Sequence, residues 1–341
     1  MMRPTTKDLA IAAGVSLATV DRVLNDRSGV RQNTVDRVNS AIAKIGFSRN
    51  LAAASLARGK VWRFLFLLPR SGDAFLAGLI DRIDEANLAF AAEQVRAEVV
   101  PIHEGDPHQI ANLLGTLDPE LVDGVAIMAP ESPQVRDATA RVTQRGIEAV
   151  SFISGQINTG NHDFVGIDNH AAGATAGRLM GRFSAGRSGA ILVVAETMHA
   201  RDSLERRLGF DQVINADYPH LTVMPSLETY GDPDRTRQVV QRGLHSHPAV
   251  CGVYVLGSEA RLVLESLDEA RIAGQPLVIA HERTPVTEAS LIAGRIDALI
   301  TQDTGHLVRS ALRILRAKCD RRPILASQER IRIEILLKEN T

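Results

Sequence analysis

Residues 1–48 alternate apolar and polar positions with the period of three short helices that share one apolar face. Thr5-Thr6-Lys7-Asp8 has the form of a capping box ahead of Leu9, Ile11 and Ala12. Gly14 can take the left-handed conformation that ends a helix, and Val15 plugs the turn. Ser16 then caps a second helix whose Val20, Val23 and Leu24 fall at i, i+3 and i+4. A third helix is expected from about Thr34, with Val35, Val38, Ile42 and Ile45 on one side and Gly46 closing it. An Ala-rich stretch, Asn50 to Gly59, reads as one more short helix between an Asn cap and a Gly stop.

From Trp62 the pattern changes to short apolar runs separated by amphipathic helical stretches. Trp62–Leu68, Val95–Ile102, Gly124–Met128 and Glu148–Ile153 read as buried strands, and Ala190–Val194, Leu221–Leu227, Cys251–Leu256, Pro276–Ile279 and Asp297–Thr301 continue the series. Such alternation predicts parallel sheets with helices on both faces, and so many strands suggest two lobes. The expected organisation is a helix-turn-helix headpiece over 1–48, a hinge helix and linker over 49–61, and a two-lobed α/β domain over 62–341. Within the last, the first lobe is expected at about 62–160 and 291–320, and the second at about 161–290 and 321–341.

Charge sharpens the division. Residues 1–60 hold ten Lys or Arg against four Asp in a chain whose net charge is −1, so the remainder is mildly acidic. A basic end on an acidic body suits a nucleic-acid-binding module joined to something else, although a solvated face gives the same count. Two cysteines without metal-ligand spacing predict neither a zinc site nor a disulfide. With no apolar run at the N-terminus and none long enough to span a bilayer, a cytoplasmic protein is expected.

In a three-helix arrangement the second helix exposes Leu17, Ala18, Asp21, Arg22 and Asn25. Asp8-Leu9-Ala10, Ala13-Gly14-Val15-Ser16, Thr19-Val20 and Arg22-Val23-Leu24-Asn25 resemble the headpiece of the lac-repressor/galactose-repressor family. The resemblance implies that Leu17, Ala18 and Arg22 select bases while Thr5, Ser16, Thr19, Asn25, Arg31 and Thr34 hold phosphates. It also implies that the helix begun at Asn50 enters the minor groove, with Leu56 wedging a base step between the small Ala53 and Ala57. Position 21 departs from the family: an Asp stands where a small hydroxyl residue is common, so it either pairs with a neighbouring Arg or turns away.

Ligands of doubly wound sheets sit beyond the C-terminal ends of the strands. Asp73, Phe75, Ser154, Ser258, Glu259, Glu282 and Gln302 are candidates there, together with Arg206 at the start of a helix. Arg206-x-x-Gly209-Phe210, His281-Glu282-Arg283-Thr284-Pro285 and Thr301-Gln302-Asp303 resemble the ribose-type periplasmic sugar-binding fold that the same family uses as a sensor. By that resemblance Arg206, Glu282 and Gln302 bond ligand hydroxyls and Phe75 stacks on a sugar face. Two departures concern the ligand: Gly257-Ser258-Glu259 replaces a common Asn or Asp, and Ile153-Ser154 stands where sugar binders have an aspartate-arginine pair. Asp168-Asn169 matches a segment near the cleft and serves equally well as a helix cap.

Other chemistry is not supported. Gly181 to Ser188 imitates a P-loop, but Arg187 replaces the Lys and the order of elements is wrong. His199, Asp202 and Ser203 crowd one helix start without the geometry of a triad, and the histidines lack metal-ligand spacing. The reading is therefore a homodimeric regulator without cofactor or metal. It binds a pseudo-palindromic double-stranded operator and responds to a small, carbohydrate-like effector. The closing segment Ile331 to Lys338 alternates like a strand, with no heptad tail for a tetramer. A transport-type solute-binding protein and a sugar-modifying enzyme are the alternatives.

Overall fold

The computed structural model describes residues 4–24, 27–47, 60–70, 72–103, 105–155, 163–184, 186–247, 249–270 and 275–341. The expectations for Asn25, Asn50, Ala53, Leu56 and Ala57 lie outside the described residues. Two units result, a helical one ahead of Trp62 and an α/β one that begins there.

In the helical unit, α1 spans Thr6–Ala13, α2 Leu17–Leu24 and α3 Gln32–Ile45. The capping box forms, with the Thr5 hydroxyl and amide both donating to Asp8 at 2.7 Å. Gly14 ends α1 at φ 61°, and Ser16 accepts the Thr19 amide to start α2. Helix α3 begins two residues before Thr34, because Arg31 already occupies the extended cap position. Leu9, Ala13, Val20, Val38, Ala41 and Phe47 form the core. Arg37 adds a tie that periodicity could not reveal. Its Nη2 donates to the carbonyls of Ala13 at 2.7 Å and Gly14 at 2.8 Å, satisfying the open end of α1.

The α/β unit holds two sheets. The first is β2-β1-β3-β4-β5, from β1 (Trp62–Pro69), β2 (Val95–Ile102), β3 (Gly124–Ile127), β4 (Glu148–Phe152) and β5 (Asp163–Val165). Between them run α4 (Ala74–Ala89), α5 (Pro107–Thr116) and α6 (Pro133–Gln144). All its pairings are parallel. Chain then crosses to α7 (Asn169–Phe183), β6 (Gly189–Ala195), α8 (Arg201–Asp217), β7 (Leu221–Glu228), α9 (Pro233–Ser246), β8 (Val250–Val255), α10 (Ala260–Ala270), β9 (Leu277–His281), α11 (Pro285–Ile292) and β10 (Ala298–Thr301). Helix α12 (Thr304–Cys319) returns to the first lobe, and α13 (Ala326–Glu329) leads to β11 (Glu334–Leu336). The second sheet is β11-β10-β9-β8-β6-β7, parallel except for β11.

Two lobe boundaries differ from the expectation. Strand β5 pairs with β4, which keeps 163–165 in the first lobe. Strand β10 pairs with β9, so 291–301 belongs to the second lobe and only α12 crosses back. Three-residue and four-residue strands carry too little periodic signal to assign to a sheet without knowing their neighbours. Among the described residues no helix is long and apolar enough to cross a membrane.

Helices α7 and α8 cross at glycines. A Cβ on Gly173 would stand 1.9 Å from the Arg206 carbonyl, and one on Gly209 would stand 2.0 Å from the His170 carbonyl. Only hydrogen fits where backbone meets backbone, and this approach carries Asn169 and Arg206 to the same place. Gly209→Ala is expected to cost on the order of 3 kcal/mol or more through overpacking, a Tm loss of roughly 6 °C or greater in a calorimetric melt. Gly78→Ala, inside α4 with nothing near its Cβ position, is expected to hold or raise Tm.

Candidate functional site

Arg206 is buried on α8, and each of its nitrogens donates to a protein group. Nε bonds Asn169 Oδ1 at 2.9 Å, Nη1 the Leu256 carbonyl at 2.7 Å, and Nη2 Glu282 Oε1 at 2.8 Å. Glu282 Oε1 also accepts from Gln302 Nε2 at 3.2 Å. Two charges are thereby removed from water inside one network, which is tolerable because each is paired and hydrogen-bonded. Burial opposes the Arg206 charge, but the carboxylates of Glu282 and Asp202 outweigh it and raise its pKa. Burial pushes the Glu282 carboxyl up, with Arg206 pulling the other way. Among the described residues Glu282 Oε2 and Gln302 Oε1 find no hydrogen-bond partner.

Glu282 follows β9 with φ at 65°, in the left-handed region that non-glycine residues rarely adopt. Its amide donates to the Ile300 carbonyl, and Thr287 Oγ1 donates to the Glu282 carbonyl. Ile153, following β4 in the other lobe, has φ 61°. Each lobe therefore turns one strained residue into the cleft from the C-terminal end of a strand.

The cleft is a cavity of about 360 Å³. Phe75, Leu76, Met128, Pro130 and Ile153 form its apolar side; Asp73, Glu131, Glu196, Asp202 and Glu282 bring carboxylates, and Arg201 and Arg206 the guanidiniums. Asp73 caps α4 by accepting the Phe75 amide, and Phe75 is buried. Ser154 lines the cavity and donates to the Ala129 carbonyl at 3.2 Å. Two bonds cross between lobes: Ser258 Oγ donates to Asp73 Oδ2 at 2.6 Å, and Arg201 Nη1 to Glu131 Oε2 at 3.0 Å. Glu259 lines an adjoining cavity of about 410 Å³ instead, and Gln302 stands behind Glu282 without lining the cleft. A larger groove of about 990 Å³ lies along the crossover segments and includes neither Arg206 nor Glu282.

Asn169, Arg201 and Glu131 join the site without having been candidates. Arg201 and Asp202 follow β6 just as Glu282 follows β9, and that placement was the available signal. Asp168, by contrast, caps α7 through the Ala171 amide. Under the cleft, Phe210 stacks on Tyr254 with ring centroids 4.4 Å apart, and Tyr254 Oη bonds His281 Nε2 at 2.8 Å. Burial raises the Tyr254 phenol.

On α2, Leu17, Ala18 and Arg22 are exposed together, and Arg22 makes no ion pair among the described residues. Asp21 pairs with Arg27 at 3.4 Å. Thr5, Ser16 and Arg31 are exposed, while Thr19 and Thr34 are half-buried. Ser16 and Thr19 hydroxyls bond each other at 2.9 Å.

His281 supplies a pH dependence. Burial first, and the Arg206 charge second, hold its pKa well below the usual 6.5. The unfolded chain therefore binds a proton that the native state refuses, so stability present above pH 6.5 declines as pH falls below it. The expected contribution is up to about 1.4 kcal/mol per pH unit, partly offset at lower pH by the raised Glu282 carboxyl. Urea unfolding between pH 7 and 5 should show a shallower acid-side decline in His281→Asn than in the unsubstituted protein.

Comparison with known proteins places the chain. Residues 64–323 match the family model described as periplasmic binding protein domain, and residues 5–50 match bacterial regulatory proteins, lacI family. The maltose regulon regulatory protein MalI of Escherichia coli (strain K12) is 36% identical over 124 residues, 36% of this chain and 35% of that protein. The aligned part thus spans about a third of the curated relatives' length. A periplasmic solute-binding protein from Actinobacillus succinogenes 130z, solved with bound D-allose, superposes with a TM-score of 0.72 at 15% identity, covering 82% of this chain and 98% of that one. GanP, a glucose-galactose binding protein from Geobacillus stearothermophilus, gives a TM-score of 0.72 at 15% identity, covering 82% and 99%. Its two sheets, its cleft and these matches agree: the chain belongs to the periplasmic binding protein domain family and carries a lacI-family helix-turn-helix segment in residues 5–50.

Proposed function

We propose that the protein is a cytoplasmic, sequence-specific DNA-binding transcriptional regulator, a repressor by default, whose operator affinity is set by a small carbohydrate-like effector in the cleft. The observation that carries this reading is the presence, in one chain, of an exposed α2 face, with Arg22 in no ion pair among the described residues, and a two-lobed ligand cleft. Leu17 and Ala18 suit a thymine methyl, and Arg22 suits a bidentate bond to guanine. Thr5, Ser16, Thr19, Asn25, Arg31 and Thr34 are assigned to the phosphates, and Asn50, Ala53, Leu56 and Ala57 to a minor-groove hinge. Because one helix-turn-helix covers a half-site, the acting species is a homodimer on a pseudo-palindromic operator.

Asp73, Phe75, Ser154, Arg206, Ser258 and Glu282 within the cleft are assigned to the effector, with Glu259 of the adjoining cavity and Gln302 behind Glu282. The geometry favours direct contact for those that line the cavity and a supporting role for Gln302. Interlobe bonds at Ser258 and Arg201 give the switch its physical basis: a ligand that favours one lobe arrangement over another shifts DNA affinity by its differential binding energy. Catalysis plays no part in this reading.

Fluorescence anisotropy with DNA from upstream of the protein's own coding region, scanned against sugars and polyols, tests it. Salt-sensitive binding that a compound shifts is the expected result, and absence of DNA binding under all conditions would leave a solute-binding protein as the better account. Arg22→Ala is expected to lose about tenfold or more in preference for the operator over random DNA while keeping salt-sensitive nonspecific binding. Selection from a randomised site pool measures that preference.

A further inference from the structure

The cleft is unbalanced in two respects. Its lining brings five carboxylates against two guanidiniums. Both guanidiniums are already engaged: Arg206 with Asn169, Leu256 and Glu282, and Arg201 with Glu131 and Glu205. Three of the four hydroxyl donors of the lining are similarly committed, and Ser203 alone makes no hydrogen bond among the described residues. Ser154 donates to Ala129, Ser258 to Asp73, and Thr197 to Glu228.

Acceptors, in contrast, remain open. Glu282 is 4% exposed, lines the cavity, and leaves Oε2 without a partner. Asp202, half-buried in the same wall, makes no hydrogen bond among the described residues. A buried acceptor without a donor is costly, and a wall richer in carboxylates than in guanidiniums repels an anionic group brought into it. The ligand that satisfies both deficits carries many N–H or O–H donors and a positive charge.

We infer that the effector is a hydroxylated amine of monosaccharide size, whose ammonium group sits between Glu282 and Asp202, rather than a neutral, phosphorylated or carboxylated sugar. This rests on the regulator reading above and names the chemical class its cleft accepts. The ammonium donates to Glu282 Oε2 and Asp202, hydroxyls meet the remaining carboxylates, and the apolar Phe75 side covers the carbon skeleton. Sugar phosphates and sugar acids are disfavoured because both guanidiniums of the lining are already engaged and its carboxylates outnumber them. Burial raises the Glu282 carboxyl, and an ammonium beside it acts against that shift as Arg206 does.

The test is isothermal titration of the full-length protein with matched probes: glucosamine, glucose, glucose 6-phosphate and glucuronate, and scyllo-inosamine beside scyllo-inositol. In at least one series the amine is expected to bind about tenfold or more tightly than its neutral counterpart, with the anionic members weakest. Affinity of the amine should fall about tenfold in Asp202→Asn, a half-buried substitution that leaves the Arg206–Glu282 pair in place, while that of the neutral counterpart changes little. Equal or tighter binding of a neutral or anionic member, or no heat from any amine, overturns the inference. Anisotropy with operator DNA is run in parallel. DNA binding without amine preference removes this inference alone, whereas amine binding without any DNA binding removes the regulator reading and leaves the cleft chemistry standing.

Discussion

Everything in the cleft depends on a buried ion pair that neither partner could sustain alone. Arg206 and Glu282 come from α8 and the end of β9, 76 residues apart, and meet at 2.8 Å, both buried. Desolvating both costs several kcal/mol per charge, and removing one partner of such a pair typically costs 3–5 kcal/mol. Stability therefore requires the surrounding groups to be complete. Asn169, the Leu256 carbonyl and Gln302 are those groups, contributed by α7, the end of β8 and the end of β10. One pair thus holds five elements of the second lobe in register.

That network in turn dictates backbone geometry. Arg206 reaches Asn169 because α7 and α8 approach through Gly173 and Gly209, and Glu282 reaches Arg206 from a left-handed conformation fixed by Ile300 and Thr287. Strain and close packing here have a common outcome, which is a carboxylate presented at the cleft with one oxygen satisfied and the other open. Across the opening, Asp73 and Glu131 of the first lobe accept bonds from Ser258 and Arg201 of the second. A ligand between the lobes competes with or reinforces those two bonds, which is how occupancy of the cleft becomes a choice of lobe arrangement.

Much of this was legible in the residues. The capping box at Thr5, the glycine at 14 and the i, i+3, i+4 spacing of α2 are local signals, and they appear at their expected places. The long apolar runs became strands for the same reason, since a run buried on both faces has few alternatives. Candidates chosen for lying beyond strand ends included Asp73, Phe75, Ser154, Ser258 and Glu282, and these line one cavity together with Arg206, which was named for its helix and by resemblance.

What the residues by themselves determined was each element and the end of each strand at which chemistry would gather, because capping, helical period and strand burial are set by neighbours a few positions away. Tertiary structure alone decided that β5 and β10 lie in different sheets, that Arg37 ties α3 to the end of α1, that Gln302 stands behind Glu282 and Glu259 faces a separate cavity. It also decided that both cleft arginines are spent on protein groups. Those outcomes depend on which distant groups share a volume too small for water, and distance along the chain does not encode that.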